Sequence, residues 1–156
     1  MMIKNMVLLW LATTTLVGGQ VLRSSGPPPE RTRYHVHVLN GPYYVHVLNG
    51  LSYHSLDVHC QSKDDDLGHH LVNHGDDFQW NFIENLFRTT LFWCRLEKSD
   101  AYVSFESFWP ESLKNPWLRR RCGTQLTCLW TAKDDGIYLR NMPTNVDEFV
   151  HKWIAT

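Results

Sequence analysis

The sequence predicts a small all-β protein: a disulfide-stabilised antiparallel β-sandwich of seven to eight strands. Three observations carry that expectation. Short runs of alternating apolar and polar residues recur along the chain, separated by Gly, Asp, Asn and Pro turn signals. Aromatic side chains are plentiful, with 7 Trp, 6 Tyr and 7 Phe, which suits strands and a packed core better than disorder. Three of the four cysteines, Cys60, Cys94 and Cys128, fall on the apolar faces of such runs, and the fourth, Cys122, lies close to one of them. At 156 residues the chain has room for one domain with a real core.

Residues 1–19 read as a signal peptide. Lys4 precedes an apolar run from Met6 to Leu11 that continues to Leu16, and Val17-Gly18-Gly19 supplies small residues for a signal peptidase. The run falls short of the ~20 apolar residues that a membrane span needs. Cleavage after Gly19, leaving Gln20 first and no inserted segment, is the expectation. All four cysteines lie beyond that cut, an even number in an exported chain, so two disulfides are expected. Three pairings are open; inward-facing cysteines on a sandwich favour bridges between sheets, Cys60–Cys128 and Cys94–Cys122.

Residues 20–43 read as a Pro-rich linker with a duplicated strand segment, ahead of a β-domain at 44–156. Ser24-Ser25-Gly26-Pro27-Pro28-Pro29 is suited to an extended, solvated chain. Val36-His37-Val38-Leu39-Asn40-Gly41 then recurs unchanged as Val45-His46-Val47-Leu48-Asn49-Gly50. Each copy is an alternating strand ending in Asn-Gly, a hairpin signal. The second copy is expected in the sheet, because it leads directly into the next strand.

That strand places Leu56, Val58 and Cys60 on one face, and an acidic turn with Asp64, Asp65 and Asp66 follows as far as Gly68. Leu71 and Val72 give way to a second turn, Asn73-His74-Gly75-Asp76-Asp77. Phe78, Trp80 and Phe82 form an aromatic strand face, and Asn85 to Arg88 is a connection. Thr90 to Leu96 is nearly continuous in apolar residues, as a central strand would be. Ala101, Val103 and Phe105 alternate again. Pro110 and Pro116 mark a loop in which Arg119-Arg120-Arg121 abuts Cys122. Thr127 to Lys133 and Ile137 to Leu139 are joined by Asp134-Asp135-Gly136, a hairpin turn. Val146, Phe149, Val150 and Trp153 follow helical spacing with Asn145 as a cap; a terminal strand is the alternative.

Composition and spacing weigh against several functions. Fifteen basic against 16 acidic side chains give a net charge of -1, so no overall field points to nucleic acid or an anionic membrane. His69, His70 and His74 lie near acidic turns, yet no zinc or calcium loop spacing is present. They are read as solvated loop residues, with no metal and no cofactor expected. No Gly-x-Ser-x-Gly elbow or Gly-rich phosphate loop occurs. An enzyme is therefore not expected, although the histidine and aspartate loops are the place to look for one. The arginine run is read as a solvated basic loop, with a phosphate or glycan contact or a processing site as alternatives. No Asn-x-Ser/Thr sequon is present.

Val58-His59-Cys60-Gln61-Ser62-Lys63-Asp64-Asp65-Asp66-Leu67-Gly68, followed by His70, resembles the signature of the plant self-incompatibility proteins, the stigmatic S-protein homologues. The resemblance continues through Phe78-Gln79-Trp80-Asn81-Phe82, Thr89 to Cys94, Arg121-Cys122, Cys128 to Trp130 and Asp134 to Leu139, and covers the chain from about residue 45 onward. It implies a secreted β-sandwich with two disulfides that acts as an extracellular ligand for a plasma-membrane receptor. The best-understood members are secreted by the stigma and trigger rejection of self pollen; other roles lie in development or defence. The duplicated strand and the Pro-rich stretch depart from the family pattern. A monomer is expected to present the loops 62–70, 73–77, 97–100 and 133–136, with Asp64, Asp65, Asp66, His74, Asp76, Asp77, Asp134 and Asp135 as candidate receptor contacts. A secreted defence or inhibitor protein that binds a foreign protein or glycan is the alternative.

Overall fold

The computed structural model describes residues 41–156. The expected leader, the Pro-rich stretch and the first repeat copy up to its final Gly41 lie outside the described residues. Two five-stranded sheets pack face to face. The first has the order β4 (Asp77–Phe82), β1 (Tyr43–Asn49), β7 (Thr127–Lys133), β8 (Gly136–Asn141), β9 (Val146–His151). The second has the order β10 (Ile154–Ala155), β6 (Ala101–Phe108), β5 (Phe92–Lys98), β2 (Leu56–Ser62), β3 (Asp66–Val72).

Alternation in the sequence becomes alternation across each sheet. Val45 and Val47 of β1, Leu56 and Val58 of β2, Leu96 of β5, Trp130 of β7 and Ile137 and Leu139 of β8 are fully buried between the sheets. The aromatic face of β4 closes one side of this core, with the Phe82 ring 4.7 Å from Phe92 and 4.7 Å from Phe108. Trp130 sits at the centre, 4.8 Å from the Phe105 ring, and its indole Nε1 donates to the Ser107 carbonyl at 3.0 Å. That bond removes the cost of burying the only polar atom of the side chain.

The sandwich is as expected, but among the described residues it has ten strands instead of seven to eight. β3 was hidden because it lies at a sheet edge and only Val72 in it is buried. Gly68, at φ +77, sits near a register shift in the β2–β3 ladder, so the acidic turn is confined to Lys63-Asp64-Asp65. One pair is parallel: β1 lies between β4 and β7, antiparallel to the first and parallel to the second.

The second repeat copy is β1, yet its Asn-Gly ending makes no hairpin. Asn49 is buried, donating to the carbonyls of His54 (2.8 Å) and Val72 (3.0 Å) and accepting from the Leu51 amide (3.0 Å). Gly50 is required by a close approach: a Cβ there would stand 2.9 Å from Thr131 Cγ2 and 3.1 Å from the Ala132 carbonyl.

The cysteine pairing differs from the expected one. Cys60 bonds Cys94 and Cys122 bonds Cys128. Cys60 and Cys94 occupy opposed positions on adjacent strands of one sheet, so that bridge staples a sheet internally instead of joining two. The other ties a helix to β7. That helix, α1 (Trp117–Cys122), replaces the loop expected around the arginines. Pro116 precedes it, where a missing N–H costs nothing, and the Glu111 carboxylate accepts from the amides of Leu118 (2.6 Å) and Arg119 (3.0 Å). At the C-terminus the strand alternative holds: β9 pairs with β8, and a register shift between Ile137 and Tyr138 breaks strict alternation, which imitates helical spacing. Asn145, at φ +55, belongs to the turn before β9 and caps nothing.

Candidate recognition surface

Strand direction assigns each loop to one end of the sandwich. β2 runs from Leu56 at one end to Ser62 at the other, β3 runs back, and β4 runs in the same sense as β2, so that Phe82 ends beside Ser62. The β2–β3 turn, the β4–β5 loop and α1 therefore share an end, which we call the helix end. The β3–β4, β5–β6 and β7–β8 turns share the opposite one. Seven residues of strand separate the ends by about 20 Å. The eight candidate contacts are thereby divided: Asp64, Asp65 and Asp66 lie at the helix end, and His74, Asp76, Asp77, Asp134 and Asp135 at the other.

At the opposite end the candidates are engaged in holding loops. His74 Nδ1 bonds the Leu51 carbonyl. Asp77 Oδ2 lies 2.6 Å from His46 Nδ1. Asp134 accepts from the Ser52 hydroxyl and, at 3.0 Å, from its amide, and these bonds hold its carboxyl below the ordinary 3.8. Asp135 accepts from the Tyr138 hydroxyl at 2.6 Å, which raises the phenol above its usual 10.0. Asp76 contributes its backbone, donating to the Asn73 carbonyl and accepting from the Asn49 amide.

The helix end is built differently. The Ser62 hydroxyl accepts from the amides of Asp64 (3.3 Å) and Asp65 (3.0 Å), which shapes the turn and leaves both carboxylates exposed. Asp66 is occupied: it accepts from the Gly68 amide at 2.9 Å, which is the main cause of its lowered pKa, and lies 2.7 Å from His59 Nε2. Beside this turn stands the β4–β5 loop, residues 83–91. Asn85 organises it, donating to Thr89 Oγ1 (2.8 Å) while its Oδ1 accepts from the Thr89 amide (2.9 Å) and its own amide donates to Thr90 Oγ1 (3.0 Å). This frame holds out three large apolar side chains: Ile83 is 72% exposed, Leu86 98% and Phe87 87%. A cleft of about 480 Å³ separates the loop from the acidic turn.

Arg119 joins this loop to the fold. It pairs with Glu84 through Nη2, with Glu111 at 3.6 Å, and donates from Nε to the Tyr43 hydroxyl at 3.2 Å. Arg121 pairs with Glu148 at 2.5 Å and stacks on Trp117 at 3.8 Å. Two of the three arginines are thus committed to ion pairs, and the run lies in a helix, which does not suit a processing site.

His69, His70 and His74 do not converge, although the His69 ring stacks on His59 at 4.1 Å. His69 Nδ1 reaches Asp57 at 3.0 Å, His70 Nε2 bonds the Leu67 carbonyl, and His74 is at the far end. Among the described residues no group of three or more His, Cys, Asp or Glu side chains is placed to hold a metal ion. The loop tip at Leu86 and Phe87 was not among the sequence candidates. Its signal was a pair of large apolar residues inside a connection, directly after an Asn that two threonines follow.

Fold and surface together define a class: a disulfide-clamped β-sandwich whose exposed chemistry is carried on loops. Residues 44–153 match the family model for plant self-incompatibility protein S1, and the chain belongs to that family. It is 39% identical to S-protein homolog 1 of Arabidopsis thaliana, over 88% of this chain and 82% of the relative. It is 40% identical to S-protein homolog 74 of the same plant, over 80% and 74%. Self-incompatibility protein S1 of Papaver rhoeas is 36% identical over 54% of this chain and 57% of its own. A solved structure shares the fold with a TM-score of 0.55 at 19% identity, covering 72% of this chain and 94% of that one. It is described as belonging to the self-incompatibility protein homologues, a widespread family of small, highly stable, secreted plant proteins.

Proposed function

We propose that the protein is a secreted extracellular ligand, read by a plasma-membrane receptor protein through the loops at the helix end of the sandwich. The observation that carries this reading is the β4–β5 loop: three large apolar side chains held in solvent on a hydrogen-bonded frame, beside two exposed carboxylates. Apolar anchors on a rigid support bind at low ordering cost, and a folded domain has no internal use for them. Secretion is supported by the leader-like N-terminus, by two disulfides that suit an oxidising compartment, and by the description of the structural neighbour as secreted. Whether the message concerns pollen rejection, development or defence depends on the tissue that makes it.

The test has two parts. Tagged full-length chain is produced in plant cells, and the extracellular fluid is assayed for processed protein beginning at Gln20. That protein, labelled, is then titrated onto intact protoplasts before and after surface proteolysis. Saturable binding that proteolysis removes supports the reading. Retention inside the cell, or binding that proteolysis leaves intact, overturns it.

A further inference from the structure

We infer that the cleft between the acidic turn and the β4–β5 loop receives an arginine side chain from a protein partner, with the Leu86–Phe87 tip seating against apolar residues that flank that arginine. This rests on the ligand reading above and gives its partner a chemistry. One lip of the cleft carries Asp64 and Asp65; the opposite wall carries Ile83 and Leu91, and Trp93 also borders it. Every other carboxylate named at this end already has a partner: Asp66 lies against the His59 imidazole, Glu84 and Glu111 share Arg119, and Glu148 has Arg121. Asp64 and Asp65 have no ion-pair partner among the described residues.

An arginine suits the carboxylate, apolar and indole parts of this lining. Its methylene stem lies along apolar wall while its head stays polar. The planar guanidinium matches carboxylate oxygens in a fork geometry and stacks on an indole face. A lipid surface fits poorly, because pressing the Leu86–Phe87 tip into a membrane would bring two carboxylates against the headgroups. Lys63 also borders the cleft and opposes the incoming cation.

The experiment is an amide chemical-shift titration of the processed chain with an acetylated, amidated peptide of sequence glycine-leucine-arginine-leucine-glycine, and with its citrulline counterpart. Shifts are expected at residues 62–65 and 83–93. Replacing arginine by citrulline, or introducing Asp64→Asn with Asp65→Asn, should each weaken binding about fivefold, the scale of an exposed ion pair. Lys63→Ala should strengthen it. Shifts located elsewhere, equal affinity for the two peptides, or indifference to the aspartate substitutions would each overturn the inference. A negative titration alongside protease-sensitive protoplast binding removes the arginine and leaves the ligand reading standing. Loss of protoplast binding with a positive titration does the reverse.

Discussion

Cys60 and Cys94 face each other across β2 and β5, with Cα atoms 4.0 Å apart, and their bond closes a loop with a sequence separation of 34. The second bridge, Cys122–Cys128, has a separation of only 6. On the loop-entropy model the first restricts the unfolded chain by about 4 kcal/mol and the second by about 2 kcal/mol. Replacing both members of each pair by alanine should therefore cost about twice as much for Cys60 with Cys94 as for Cys122 with Cys128. Urea unfolding of the two variants measures the difference; equal losses would contradict the entropic account.

Asn49 is the most heavily committed buried polar side chain described above, with three hydrogen bonds to the backbone of the segment that leads into β2 and of the end of β3. Asn49→Ala leaves two carbonyls and one amide without those partners. A loss of about 3 kcal/mol is expected, with Gly50→Ala also destabilising through contact with the Ala132 carbonyl. Wild-type stability in either variant would contradict the assignment.

His151 packs against Phe105 and Trp130, with ring centroids 5.0 and 6.1 Å away, and burial lowers its pKa from the ordinary 6.5. As pH falls, the unfolded chain takes up this proton before the folded one. The contribution to stability is therefore complete above 6.5 and declines as pH drops towards the lowered folded value. His151→Leu should flatten that part of the stability profile, read from unfolding midpoints at pH 7 and pH 5.

A second limb lies in acid. Arg140, with help from Lys133, holds the Asp147 carboxyl below 3.8, and hydrogen bonds from Ser52 do the same for Asp134. Both groups favour the fold above their unfolded values, and the benefit is withdrawn as pH falls through the lowered folded ones. Asp147→Asn is expected to make the protein less stable at neutral pH and its decline below pH 4 shallower. An unchanged acid limb would show that Asp147 titrates alike in both states.

Leu86→Ser with Phe87→Ser removes apolar surface that the fold does not use. Unfolding free energy should move by no more than about 0.5 kcal/mol, while saturable binding to protoplasts should fall at least tenfold. Full retention of binding would move the contact surface away from the β4–β5 loop.

Much of the fold was legible because burial on one face imposes a period of two. β1, β2, β5, β6, β7 and β8 each show it, and each lies inside the sandwich or beside its centre. β3 and β9 were harder because they lie at sheet edges, where half-covered positions tolerate polar residues and bulges shift the alternation. Disulfide pairing was not legible: inward-facing cysteines reveal burial, whereas the partner depends on which strands are neighbours. The exposed features of the helix end were legible in part. Asp64 and Asp65 stood out by charge, but Leu86 and Phe87 obey no period, and an apolar pair inside a connection does not say by itself that it turns away from the core.

The position of β1 has a consequence for how the molecule matures. The first strand of the domain is flanked by β4 and by β7, whose residues come more than eighty positions later in the chain. Its sheet cannot close while the polypeptide is still emerging from the ribosome, because a central row of backbone partners has yet to arrive. Such late closure slows folding and leaves one edge of β1 without its backbone partners until the last third of the domain has been made.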